Sequence, residues 1–267
     1  MAALVAGAAA VLAAAVAALV VAGSGRPVLP EASFRYPAGG LIPVSVSASS
    51  AISSLATGAL AAEVDRLPPG TSAVAWALNR PVPVYGAPRA RRPERRLATR
   101  DQFGITQVLL VRRALPGWLE VYLPIRPNDS TGWVPAASVA VTLDPYAVVV
   151  DTAAHKITAL RSGRPVMHAT VGIGKPATPT PHGRFYVMEK LRMVPDTGPY
   201  GTYAFGLSAY SNVLTTFGTG EAQIALHGTN EPWTVGQDTS NGCLHLNDSV
   251  ANWLARTLPL GTPVQIT

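Results

Sequence analysis

Two side chains in this sequence carry the means for nucleophilic acyl transfer. Cys243 is the single cysteine of the chain, and His227 lies 16 residues before it. A cysteine attacks as its thiolate, so it needs a partner that draws off its proton. Imidazole suits the task because it accepts that proton and later returns it to a leaving amine. Gly242 stands directly before Cys243. A glycine there lets the backbone turn sharply and leaves amide N–H groups to face a developing oxyanion. Gly228 follows His227, and its carbonyl is the expected orienting group, since no Asp or Glu of the segment is an obvious third member. Taken singly, a core cysteine and a satisfied surface histidine would be the plainer readings. Held together in glycine-rich turns of one short segment, they point to chemistry.

These residues need elements to hold them. Gln223 to Leu226 is an apolar stretch that ends at His227, which places the histidine at a strand end. Upstream, Tyr146 to Val150, Lys156 to Leu160 and Val166 to Ile173 read as strands, with a tight turn at Arg161 to Pro165 making a hairpin. Ser249 to Arg256 is the one helical pattern, with Val250, Trp253 and Leu254 on one face and Asn247 or Asp248 as cap. Gly172-Ile173-Gly174-Lys175 fails as a phosphate loop, because Ala169 stands where a glycine is needed and Pro176 where Ser or Thr should follow. The histidines (155, 168, 182, 227 and 245) show no H-x-x-x-H pair, and one cysteine excludes both an internal disulfide and a multi-thiolate metal site. No metal or cofactor is expected.

Ile224 to Leu246, with His227-Gly228-Thr229-Asn230 followed by Ser240-Asn241-Gly242-Cys243, closely resembles the L,D-transpeptidase (YkuD-type) catalytic domain. A second block agrees: Val171 to Pro176, then Thr178-Pro179-Thr180-Pro181, then Gly183 to Val187. The resemblance covers about residues 143–267. It implies a mainly β fold, a β-sandwich with the cysteine and histidine facing each other across a cleft. It also implies peptidoglycan stem peptides as substrate. Cys243 would be nucleophile, His227 proton donor and acceptor, and Gly242 an oxyanion-hole backbone. Ser240, Asn241, His245 and Tyr203 would be substrate contacts. Many members carry histidine where this chain has Asn241, which leaves His227 as the base. Many carry Arg or Asn where this chain has His245, and a neutral histidine holds a carboxylate less tightly than arginine does. Met193 to Tyr210, with its tyrosines among glycines, reads either as a lid or as an ordinary β region. Rival readings are an L,D-carboxypeptidase that uses water as acceptor and an inactive wall-binding protein.

The rest of the chain divides by composition. Ala2 to Gly23 is 22 residues without a charge, long enough as a helix to span a bilayer. It reads as a signal peptide or a membrane anchor, and so places the protein outside the cytoplasm, at the wall. Residues 24–71 read as a Ser/Ala/Pro linker with a short helix from Ser54 to Leu67. Residues 72–142 show short apolar runs broken by Pro and Gly. The stretch Trp118 to Val139, ending in Gly132-Trp133-Val134, resembles a bacterial SH3-like domain, a small barrel. Arginines 89, 91, 92, 95, 96 and 100 are expected in a long loop ahead of it. No aromatic lies among them to stack on bases, so nucleic acid is not expected, and a solvated loop or contact with an anionic wall polymer remains. The chain has 267 residues and a net charge of +6, which favours acidic surroundings without choosing one.

Overall fold

Short apolar runs separated by glycine and proline give short strands, and these pair into two large sheets and two two-stranded ribbons. The computed structural model describes residues 42–43, 51–52, 64–218 and 220–267. The expected membrane segment and most of the expected linker helix lie outside them. Among the described residues no helix is long and apolar enough to cross a membrane.

The first part holds β1 (Ile42–Pro43), β2 (Ala51–Ile52), β3 (Ser72–Ala77), β4 (Val82–Val84), β5 (Arg95–Leu97), β6 (Val108–Leu115), β7 (Trp118–Tyr122), β8 (Thr131–Pro135) and β9 (Val139–Asp144). Six of them form a sheet in the order β2-β9-β3-β6-β7-β8. The arginine-rich segment is not the loop that was expected. Its flanks pair as an antiparallel hairpin, β4 with β5, with Val82 opposite Leu97 and Val84 opposite Arg95. Two short stretches of the expected linker are also paired, β1 on a later strand at Arg192 and β2 on β9.

The second part holds β10 (Tyr146–Asp151), β11 (Lys156–Arg161), β12 (Arg164–Thr170), β13 (Ile173–Gly174), β14 (Gly183–Arg192), β15 (Tyr203–Tyr210), β16 (Gln223–His227), β17 (Asp238–Ser240), β18 (Leu244–His245), α1 (Asp248–Thr257) and β19 (Pro263–Ile266). The large sheet runs β12-β11-β10-β19-β14-β15-β16-β18, while β13 and β17 pair apart from it. Ser162 and Gly163 adopt positive φ at the β11–β12 turn, the backbone a two-residue hairpin needs. Phe185, Val187, Leu207, Leu226, Leu244 and Val264 are wholly buried between the sheet and its cover. α1 contributes Ala251, Leu254 and Ala255 to that core. Its N-cap Asn247 makes no side-chain cap bond. At its other end the buried Lys190 donates to the Ala255 and Leu258 carbonyls, satisfying helix-end acceptors that would otherwise be stranded.

The two parts share a core, since Val74, Val108 and Leu110 join the cluster around Phe185 and Tyr186. Asn128 exchanges two bonds with the Tyr210 backbone, Nδ2 donating to its carbonyl at 2.8 Å and Oδ1 accepting its N–H at 2.9 Å. Arg126 donates to the carbonyls of Ser211, Leu214 and Glu221.

A buried carboxyl lies in this second sheet. Glu189 is 5% exposed, and desolvation, with the nearby Asp101 carboxylate second, pushes its pKa up to about 7. Asp144, also buried, is pushed up to about 6 by desolvation. The folded chain therefore keeps protons that the unfolded chain has lost, and stability falls as pH rises from about 4 through 7. Glu189→Gln removes one ionisation cost. It should raise stability at pH 8 by up to about 3 kcal/mol, at 1.36 kcal/mol per pKa unit, and change little at pH 4. Denaturant melts at the two pH values check this.

Candidate active site

His227 closes β16, and its backbone is fixed from both sides. Ala204 of β15 lies opposite it in antiparallel register, and His245 of β18 in parallel register. Cys243 immediately precedes β18, beside Ala225. The Ala225 backbone hydrogen-bonds the Cys243 thiol, and Ala225 lies two positions before His227 on β16. The pairing of β16 with β18 thus brings the chain segments that carry the two residues next to each other.

The imidazole is 3% exposed. Its Nδ1 lies 2.6 Å from the Gly228 carbonyl oxygen. A carbonyl only accepts, so Nδ1 carries the proton and Nε2 is left as the acceptor. Burial, opposed by that hydrogen bond and assisted by the neighbouring His245, holds the His227 pKa down at about 4. Cys243 remains half-open to solvent. Its thiol is nevertheless desolvated, which pushes its pKa up despite a hydrogen bond from the Ala225 backbone. The resting pair at neutral pH is therefore thiol and imidazole, not thiolate and imidazolium. The environment disfavours both charges, so ionisation must accompany the reaction.

Gly228 is tightly confined. A Cβ there would lie 2.0 Å from Asp248 Oδ1. That carboxylate also accepts the Thr202 N–H at 3.0 Å, so the first turn of α1 braces the turn that aims His227. Sequence spacing did not connect Asp248 to the site.

The cysteine loop is held from within. Gly242 sits at φ +118, with Ile224 Cδ1 2.9 Å from where a Cβ would be. Its N–H donates to Ser240 Oγ at 3.0 Å, and that hydroxyl donates to the Cys243 carbonyl at 2.6 Å. The Gly242 amide, expected to face an oxyanion, is thus engaged inside the loop. Ser240 is 5% exposed, and its hydroxyl bridges two backbone groups of the loop. Thr180 Oγ1 donates to the Gly242 carbonyl, and Thr178 Oγ1 to that of Ser240, so the Thr178-Pro179-Thr180 stretch supports the loop. Replacing Ser240 with alanine strands the Gly242 N–H. It should cost about 1–3 kcal/mol of stability and slow alkylation of Cys243, read from denaturant melts and a thiol-probe assay.

The remaining expected contacts separate. Asn241 is exposed. His245 packs its ring 4.8 Å from that of His227, centroid to centroid. Thr234 Oγ1 donates to the Glu231 carbonyl at 2.7 Å, so it must accept from His245 Nδ1 at 2.8 Å, leaving Nε2 of His245 unprotonated. Tyr203 is not beside His227: Ala204 shares the histidine's register, and alternation puts Tyr203 on the opposite face, packed against the core. Tyr200 takes the place instead, its ring edge-on to His227 at 4.8 Å. Of the two readings of Met193 to Tyr210, the ordinary β region describes Tyr203 to Tyr210, which form a largely buried strand.

The imidazole thus closes one strand of the sheet, and the thiol stands on the glycine turn that leads into the neighbouring strand. The family model for the L,D-transpeptidase catalytic domain (YkuD) matches residues 145–266. Putative L,D-transpeptidase YqjB of Bacillus subtilis is 30% identical over 135 residues, 46% of this chain and 72% of its own length. Putative L,D-transpeptidase YkuD of the same organism is 30% identical over 122 residues, 46% of this chain and 66% of its own. L,D-transpeptidase 1 of Mycobacterium tuberculosis is 28% identical over 128 residues, 44% of this chain and 49% of its own. This chain belongs to the YkuD family of L,D-transpeptidases, with residues 145–266 as its catalytic domain.

Proposed function

We propose that this protein is a peptidoglycan L,D-transpeptidase that forms 3→3 cross-links through a thioester on Cys243. The donor is a stem tetrapeptide, and the attacked carbonyl belongs to its third residue, a diaminopimelate. As Cys243 Sγ attacks, Nε2 of His227 takes the thiol proton, and the C–S bond forms as the carbonyl oxygen gains charge. The Cys243 N–H faces that oxygen; the Gly242 N–H is already engaged by Ser240 Oγ. His227 then gives its proton to the departing D-alanine amine, and the C–N bond breaks. In the second half the acceptor stem's amine loses a proton to His227 and displaces the sulfur. Asn241 and Nε2 of His245 line the approach to Cys243 and hold the stem.

The observation that supports this reading is the parallel register of β16 with β18, which pairs His227 with His245, two positions after Cys243. Residues 72–142 act as an SH3-like module joined to the catalytic domain, and the wall is the protein's place of work, reached through the 1–23 segment as a signal or anchor. Incubation with purified disaccharide-tetrapeptide tests the function. Cross-linked dimers by mass spectrometry support it, tripeptide alone makes the protein an L,D-carboxypeptidase, and unchanged substrate removes the proposal.

A further inference from the structure

The strongest charge on this protein lies far in sequence from the catalytic residues. Seven arginines and one acid, Glu94, fall between Arg80 and Arg100, a net of +6. The whole chain's formal charge is also +6, so the remaining residues balance to zero. An arginine-rich composition alone would spread the excess along the chain. Here the β4–β5 hairpin and the residues flanking it hold all of it, five of the seven arginines lying in the hairpin itself.

The structure displays these charges instead of neutralising them. All seven arginines are exposed. The ion pairs among the described residues join Arg112 and Arg113 to Glu120 and His155 to Asp238, none of them in this segment. The arm has a firm root: Val82 and Val84 are buried, and Tyr85 exchanges two backbone bonds with Trp133 at 2.8 Å. Arg95 and Arg96 are adjacent on β5 and so project to opposite faces. Arg89, Arg91 and Arg92 occupy the connection, and Arg89 has φ 63, a backbone region that a non-glycine residue rarely enters. Guanidinium groups thus ring a short finger in which Glu94 is the one acid against five arginines.

We infer that the β4–β5 finger is a docking surface for a linear polyanion bearing phosphate groups, the chemistry of an anionic wall glycopolymer. Planar guanidinium forks suit phosphate oxygens, and a flexible polymer reaches both faces of the finger. From Gly86 to Arg100 there is no aromatic side chain to stack on bases. Nor is any large apolar side chain exposed there to enter a bilayer. The inference is independent of the acyl-transfer site.

Titration of the full chain with long-chain inorganic polyphosphate, at several salt concentrations, tests it. The logarithm of the affinity should fall linearly with the logarithm of the salt concentration. The variant R91Q/R92Q/R95Q/R96Q should bind at least tenfold more weakly at about 0.1 M salt with a shallower slope, while Cys243→Ala binds as wild type. The variant R91E/R92E changes only the connection and leaves both strands intact; it should lose affinity as well. Undiminished binding by either arginine variant overturns the inference. So does tighter binding to phosphatidylglycerol vesicles than to polyphosphate, which would make the finger a membrane contact.

Discussion

Replacing Cys243 with alanine should reduce cross-linking of disaccharide-tetrapeptide to background, a loss of at least about 10⁴ in rate. The size follows from chemistry. Removing the sulfur removes the only atom that can hold the acyl group between donor and acceptor, and no other cysteine exists to replace it. Serine in its place keeps the shape but offers a far less acidic hydroxyl, and should recover little. Stability should change by less than activity does. Circular dichroism and a melt of the alanine variant separate a lost nucleophile from a lost fold.

The second large effect falls on His227. His227→Ala removes the proton carrier for both half-reactions and should lower the rate by about 10²–10⁴. The pH dependence is more informative than the loss. In the wild type the imidazole pKa is held at about 4 and the thiol is pushed above its ordinary value. Between those limits the pair is neutral. The alkylation rate of Cys243 should therefore keep rising, about tenfold per pH unit, through and beyond the ordinary thiol pKa of about 8.5. A preformed thiolate–imidazolium pair would instead give a plateau beginning near pH 5. That plateau in a stopped-flow alkylation profile would contradict the neutral pair.

Part of this site was legible in the sequence because its chemistry needs rare residue types in fixed turns. A lone cysteine after Gly242 and a histidine before Gly228 announce themselves. The strands around them do too, since β10, β11, β12 and β16 are marked by apolar runs and turn residues. What was not legible depends on register and burial. Tyr200 and Tyr203 are equally plausible from spacing. Only the pairing of Ala204 with His227 decides which face Tyr203 occupies. Ser240 looks like a substrate ligand until its hydroxyl is seen bridging Gly242 and Cys243. Thr234 gives no local sign that it sets the His245 tautomer, because its effect depends on the Glu231 carbonyl. The protonation state of Cys243 comes from desolvation, which a linear pattern does not encode. The β4–β5 hairpin was read as a loop because Arg95-Arg96-Leu97 lacks apolar alternation; its pairing rests on the buried valines of the opposite strand.

The most direct test of the acyl-transfer account is intact-protein mass spectrometry after brief mixing with disaccharide-tetrapeptide and no acceptor. A mass increase equal to the donor less D-alanine, localised to Cys243 by digestion and released by hydroxylamine, is the expected result. An unmodified protein that nonetheless turns the substrate over, or an acyl group found on any other residue, would contradict it.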